Sequence, residues 1–265
     1  MKKKYLFFDI DGTLAGGGHA YTYVPDSCRE ALRKVRRAGH FTAICTGRSQ
    51  CLSVNLMKEL GFHHMVSDGG YGITIDDELL EIIPLDKEPV IALIDECKEK
   101  GIPWALHTDN TPARKAPDSS FFDYTQDEHI RTEIVEGLDP RNCEKIYKAY
   151  IACHSPEEYQ LENLKKLPWC RVRDTHIFVE PVDKAFGIKK IMDHFHADYR
   201  DVIVFGDEEN DLSMFLLEWT CVAMGNAVPA LKAAADLVTD SSDKDGIYNA
   251  CVRLGLFETE ASGKE

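Results

Sequence analysis

Apolar residues run along this chain in two rhythms, and the rhythm changes twice. Residues 4–8 form a short continuous apolar run that ends in acid, the pattern of a buried strand delivering its C-terminal end to something polar. Asp26 or Ser27 then opens a helix on which Cys28, Ala31, Leu32 and Val35 share one face, and Gly39 stops it. A second apolar run fills 41–45, and Leu52, Leu56, Met57 and Leu60 mark the next helical face, ended by Gly61. Strand, helix, strand, helix in this order implies parallel strands joined by right-handed crossovers.

After Val66 the texture changes. Residues 71–75 and 79–83 flank an acidic turn and predict a hairpin. From about 84 to 181 the pattern is mixed, with a helix near 90–100 and strand-like stretches at 104–107, 146–153 and 177–182. Alternation then resumes. Ile188, Ile191, Met192 and Phe195 form one helical face, and 202–205 is a strand that ends in Gly206-Asp207. A helix near 212–217, strands at 221–224 and 237–239 and a last helix at 247–254 complete the series. The prediction is an α/β domain made of 1–83 plus 182–265, split by an inserted α+β module at 84–181.

Composition narrows the picture. The 265 residues are 44% hydrophobic and 29% charged, which is ordinary for a globular protein. Lys and Arg number 31 against 45 Asp and Glu, a formal charge of −14 that argues against nucleic acid and against anionic membranes as partners. Lys2 to Lys4 look like a basic leader, but the apolar run behind them ends at Asp9, too short for a secretion signal. Nine cysteines without a Cys-x-x-Cys pair read as reduced packing thiols in a cytoplasmic protein. The ten histidines include no His-x-x-x-His spacing for a metal.

In open parallel sheets ligands sit beyond the carboxyl ends of the strands. Four such places carry hydrophilic groups here: Asp9-Ile10-Asp11-Gly12-Thr13, Thr46-Gly47-Arg48, Lys184 at the re-entry into the α/β domain, and Gly206-Asp207-Glu208-Glu209-Asn210-Asp211. Each alone has a plain structural reading: a turn with exposed acids, a strand-to-helix turn capped by Ser49, a surface lysine, and a solvated helical turn. Their common position at strand ends or a domain junction, in the order acid, hydroxyl, cation, acids, points instead to one crevice.

On these residues the chain resembles the haloacid dehalogenase-like superfamily, in its Cof-type sugar-phosphatase branch with a large α/β cap, over nearly its whole length. The resemblance implies a Rossmann-like core with a cap inserted between the second motif and Lys184. It implies a phosphatase acting on small phosphorylated metabolites, sugar phosphates above all, with Mg2+ as cofactor. Asp9 would be the nucleophile that forms an aspartyl phosphate, and Asp11 the acid and then the base. Asp9, the Asp11 carbonyl and Asp207 would hold the ion, with Asp211 close by. Thr46, Gly47, Lys184 and Asn210 would bind the phosphoryl group, joined by Arg48 and Asn226, although Asn226 has a helix-capping alternative. With the ion bound, Lys184 and Arg48 bring such a pocket near neutrality, so the charge of −14 describes the outer surface.

The chain departs from the family pattern in two places. Ser67-Asp68-Gly69-Gly70 stands where members often have Asn-Gly, and Ala185 follows Lys184 where many have Gly. Gly16-Gly17-Gly18 predicts a mobile loop near Asp11 and lacks the Gly-Lys-Ser/Thr of a nucleotide P-loop. In the cap, His107, Asp109, Arg114 and Lys115 lie on polar stretches at a strand end, placed to touch the leaving group or to form an ordinary surface loop. Two other functions fit the same acids: a phosphosugar mutase using the same aspartate, and a catalytically silent phosphosugar sensor. The oligomeric state is not legible.

Overall fold

The computed structural model describes residues 2–16 and 23–258. Gly17 and Gly18 of the glycine run, and residues 259–265, lie outside them. The elements follow the chain as β1 (Tyr5–Phe8), α1 (Asp26–Arg37), β2 (Phe41–Cys45), α2 (Gln50–Glu59), β3 (Met65–Ser67), β4 (Gly72–Ile75) and β5 (Glu78–Ile82). Next come α3 (Lys87–Lys100), β6 (Trp104–His107), β7 (Ala113–Ala116), α4 (Ser120–Thr125), β8 (Arg131–Ile134), β9 (Lys148–Ala152), β10 (Trp169–Arg173) and β11 (His176–Val179). The series closes with α5 (Lys184–His194), β12 (Val202–Gly206), β13 (Thr220–Ala223), α6 (Pro229–Ala234), β14 (Leu237–Val238) and α7 (Gly246–Arg253).

These elements fall into two units. The first runs up to Gly47, through Asn55–Leu80, and again from Asp183; the second comprises Arg48–Val54 and Glu81–Val182. Residues 48–54, which the sequence places with the α/β domain, thus group with the second unit.

The first unit is built on a sheet in the order β14-β13-β12-β1-β2-β3-β4-β5. The strands from β14 to β3 are parallel, and β4 turns back antiparallel to β3. Strands β1, β2 and β12 are apolar apart from Thr42, because both of their faces are covered. Helix α1 buries Cys28, Ala31, Leu32 and Val35, the face its spacing predicts, and Leu32 and Val35 each contribute about 2 kcal/mol by leaving water. Its cap differs from expectation: Pro25 holds the N-cap position with no side-chain bond, and Asp26 is already helical. The predicted hairpin is β4 and β5, joined by Asp76 and Asp77, both at positive φ as a tight primed turn requires.

The second unit is a six-stranded sheet in the order β10-β11-β9-β6-β7-β8. One apolar cluster gathers Val90, Leu93, Ile94 and Cys97 of α3 against Leu106, Ile151 and Ile177 of the sheet. On the other side Ala105, Ala116, Phe121 and Tyr150 pack together. Sequence patterning shows α3, β6, β9 and β11 but not β7, β8, β10 or α4. None of the described helices is long and apolar enough to cross a membrane. All nine cysteines are free thiols, six of them buried.

Candidate active site

Strand β1 lies between β12 and β2, and the chain proceeds outward from it in opposite directions. That reversal of strand order opens a crevice at the carboxyl ends of β1 and β12. Asp9 follows β1, and its backbone N–H donates to the Phe205 carbonyl of β12 at 3.0 Å. Asp207 follows β12, and Thr46 follows β2. Phe8 and Phe205, which precede Asp9 and Gly206 in the two strands, are fully buried and stack at 4.6 Å.

Lys184 enters from the first turn of α5. Its ammonium donates to Asp9 Oδ1 at 2.6 Å and to Asp211 Oδ1 at 2.5 Å. The other Asp211 oxygen accepts the backbone N–H groups of Asp207 (2.8 Å) and Glu208 (3.0 Å), fixing the turn that carries Asp207. Asp9, Asp207 and Asp211 are all buried, and each offers an oxygen within 4.8 Å of the others.

Burial and crowding set the protonation. Loss of water raises the Asp9 pKa well above the ordinary range, with Lys184 opposing and Asp211 and Asp207 adding to the rise. Asp207 is pushed up to about 7, by burial first, against the Thr13 hydroxyl and with the Asp211 and Glu208 charges adding. Burial disfavours the Lys184 charge, but Asp211 and Asp9 outweigh it and hold the ammonium protonated. Three neighbouring buried carboxylates therefore have one ammonium among them, bonded to Asp9 and Asp211, and are short of positive charge. A small hard divalent cation fits that deficit, because its preferred donors are carboxylate and carbonyl oxygens.

Several residues hold the acids in place. Thr13, quoted in the first motif but given no role from sequence, donates from Oγ1 to Asp207 Oδ1 at 2.7 Å. Gly12 has φ +82°, and a Cβ there would lie 1.9 Å from Asp207 Oδ2. Ser213 accepts the Lys184 backbone N–H at 3.1 Å. The 67–70 turn, whose purpose is not readable from sequence, supports the start of α5: Asp183 N–H donates to the Gly69 carbonyl at 2.9 Å. Gly70, at φ +119°, lies so close that its Cβ would fall 1.9 Å from the Asp183 carbonyl oxygen. None of these contacts joins residues near in sequence, so periodicity carries no trace of them.

The other predicted residues separate into groups. Asp11 is half-buried in the loop after β1, and Thr46 is buried. The Asn210 amide nitrogen approaches Gly47 closely, 3.3 Å from where a Cβ would stand, and its Oδ1 is buried without a hydrogen bond. Arg48 is half-buried in the segment grouped with the second unit. Asn226 does not cap α6, whose N-cap is Val228; its amide bonds to Gly12, Asp207 and Ser242 instead.

In the second unit, His107 is buried, with its Nε2 2.7 Å from the Thr111 carbonyl. Lys115 bonds Asp109 at 2.5 Å and Thr108 at 3.0 Å. Arg114, expected on a polar surface, is fully buried. It donates to Asp127 at 2.6 Å and Thr132 at 2.9 Å and lies over the Phe121 and Tyr150 rings. Its donors are used in holding the unit together, which corrects its assignment to the leaving group.

Residues 6–251 match the model of the haloacid dehalogenase-like hydrolases. The chain belongs to that family. It is 30% identical to YkrA of Bacillus subtilis (strain 168), over 97% of this chain and 100% of that one. It is 26% identical to the phosphoglycolate phosphatase of Methanopyrus kandleri, over 96% and 97% of the two chains. Among solved structures, a Geobacillus kaustophilus HTA426 protein superposes with a TM-score of 0.83 at 31% identity, over 97% of this chain and 100% of that one. The HAD subclass IIB sugar phosphatase BT4131 does so at 0.77 and 27% identity, over 96% and 100%. This family member is a phosphoric monoester hydrolase, built on a parallel α/β core.

Proposed function

We propose that the protein is a Mg2+-dependent phosphatase of small phosphorylated metabolites, sugar phosphates above all, working through an aspartyl phosphate on Asp9. The observation that carries this reading is the buried cluster of Asp9, Asp207 and Asp211, in which the Lys184 ammonium bonds Asp9 and Asp211. Asp9 and Asp207, with the Asp11 carbonyl, would hold the cation, and Asp211 stands behind them, fixing Lys184. When bound, the cation supplies the positive charge that lets Asp9 stay ionised beside its neighbours.

In the first step an Asp9 oxygen attacks phosphorus, the bond from phosphorus to the ester oxygen breaks, and Asp11 gives its proton to the departing alcohol. In the second, Asp11 takes a proton from water, the water oxygen attacks phosphorus, and inorganic phosphate leaves with Asp9 restored. Thr46, the Gly47 backbone and Lys184 bind the phosphoryl oxygens while charge builds on the leaving group, with Asn210 and Arg48 beside them. The 84–181 module acts as the cap that selects the leaving group, and His107, Asp109 and Lys115 remain its candidate contacts.

The test is a screen of phosphate release over a panel of phosphorylated metabolites, with and without Mg2+, in wild type and Asp9→Asn. The expected result is Mg2+-dependent release from several sugar phosphates, abolished in Asp9→Asn. Isomerised sugar phosphate without free phosphate would show a mutase, and binding without turnover would show a sensor; either overturns the proposal.

A further inference from the structure

Asn226 makes three hydrogen bonds, each to a different loop. Its amide nitrogen donates to the Gly12 carbonyl at 2.9 Å and to Asp207 Oδ2 at 3.2 Å, and its Oδ1 accepts the Ser242 N–H at 3.0 Å. Those loops follow β1, β12 and β14, so one side chain ties together chain segments that come from distant parts of the sequence. The Asp207 carboxylate is thereby held from two sides, with Thr13 on Oδ1 and Asn226 on Oδ2.

The amide thus has its capacity spent inside the fold. Both bonds from its nitrogen are directed to protein oxygens, and the oxygen faces a backbone donor. A phosphoryl group needs donors, and Asn226 can offer one only by giving up Gly12 or Asp207. The Gly12 carbonyl belongs to the loop that carries Asp11, so the same amide sets that loop against Asp207. Gly225 explains how Asn226 gets there: a Cβ on it would lie 2.5 Å from the Ser241 nitrogen, so only glycine lets the two loops approach.

We infer that Asn226 is a positioning residue for the cation-holding carboxylate Asp207 and the Asp11 loop, and that it makes no contact with the phosphoryl group. This rests on the metal-dependent reading above. Groups that orient a ligating carboxylate typically change cation affinity 10- to 100-fold when removed.

The experiment is calorimetric titration of Mg2+ into the whole protein, wild type against Asn226→Ala, together with p-nitrophenyl phosphate kinetics at varied Mg2+. The expected result is a Mg2+ affinity about tenfold weaker, while KM for p-nitrophenyl phosphate at saturating Mg2+ moves less than about threefold. Asn226→Ser, which keeps a polar group in the loop, should show the same pattern and covers the case that the alanine variant fails to fold. Unchanged Mg2+ affinity, or a KM that rises while Mg2+ affinity is kept, overturns the inference and leaves the metal-dependent phosphatase standing. Wild-type protein that takes up no Mg2+ overturns both.

Discussion

The Lys184 ammonium donates to Asp211 across 2.5 Å, and the two side chains are 1% and 0% exposed. Asp9 takes a second bond from the same nitrogen, so one cation, shut away from water, serves two acids that sequence places far from each other and from it.

Lys184→Ala therefore removes the only protein cation bonded to these carboxylates among the described residues. Breaking a buried pair from one side typically costs about 3–5 kcal/mol. Urea unfolding in EDTA should report a loss of that size, and p-nitrophenyl phosphate hydrolysis should fall at least a hundredfold. A variant as stable and active as wild type would contradict the arrangement.

Gly12→Ala is expected to damage the site more than the fold. The new methyl would meet Asp207 Oδ2 at 1.9 Å, and φ +82° adds backbone strain of about 1–2 kcal/mol. Asp207 must shift, so Mg2+ binding measured by calorimetry should weaken by at least tenfold. The circular dichroism spectrum at 20 °C should stay that of the wild type.

Arg114→Ala separates structure from specificity. The guanidinium is paired with Asp127 inside the second unit, so its loss should lower stability by about 3 kcal/mol in chemical denaturation. The ranking of sugar phosphates by kcat/KM should be unchanged. A changed ranking at unchanged stability would return Arg114 to the leaving group.

His176 makes the same unit acid-sensitive. Burial lowers its pKa from 6.5 to about 4, with Arg114 adding to the effect and Asp127, 3.6 Å away, opposing it. Between those values only the unfolded chain takes up the proton. Stability is thus complete above about pH 6.5 and declines as pH falls toward 4, by up to about 3 kcal/mol. Urea midpoints across this range should fall less steeply in His176→Gln than in wild type.

Where sequence succeeded, one local rule decided the outcome. The apolar runs of β1, β2 and β12 and the spacing of α1 answer to burial alone. Expectation failed where distant contacts override local preference. Strands β7 and β8 carry Arg114, Lys115, Arg131 and Glu133, charged positions that give no apolar strand pattern. Arg114 becomes compatible with a sheet because Asp127 neutralises it. The helix expected over 212–217 is a short 3-10 segment, Glu209–Met214. Met214 is buried there, while Leu212 and Leu217 face solvent. For the site, the acids were readable because strand ends converge, whereas Thr13, Gly70 and the bonds of Asn226 depend on which loops meet.

The place of β1 has a consequence for how the protein is made. Tyr5 pairs with Phe41 on one side and with Val202 on the other. Translation delivers the first neighbour early and the second only after the whole inserted module has been synthesised. Until then Asp9 has neither Lys184, Asp207 nor Asp211 beside it. A nascent or prematurely terminated chain can build its first βαβ unit but not the buried cluster of Asp9, Lys184, Asp207 and Asp211. The cluster is thus closed to any fragment that stops within residues 84–181, because such a fragment holds Asp9 without Lys184, Asp207 or Asp211.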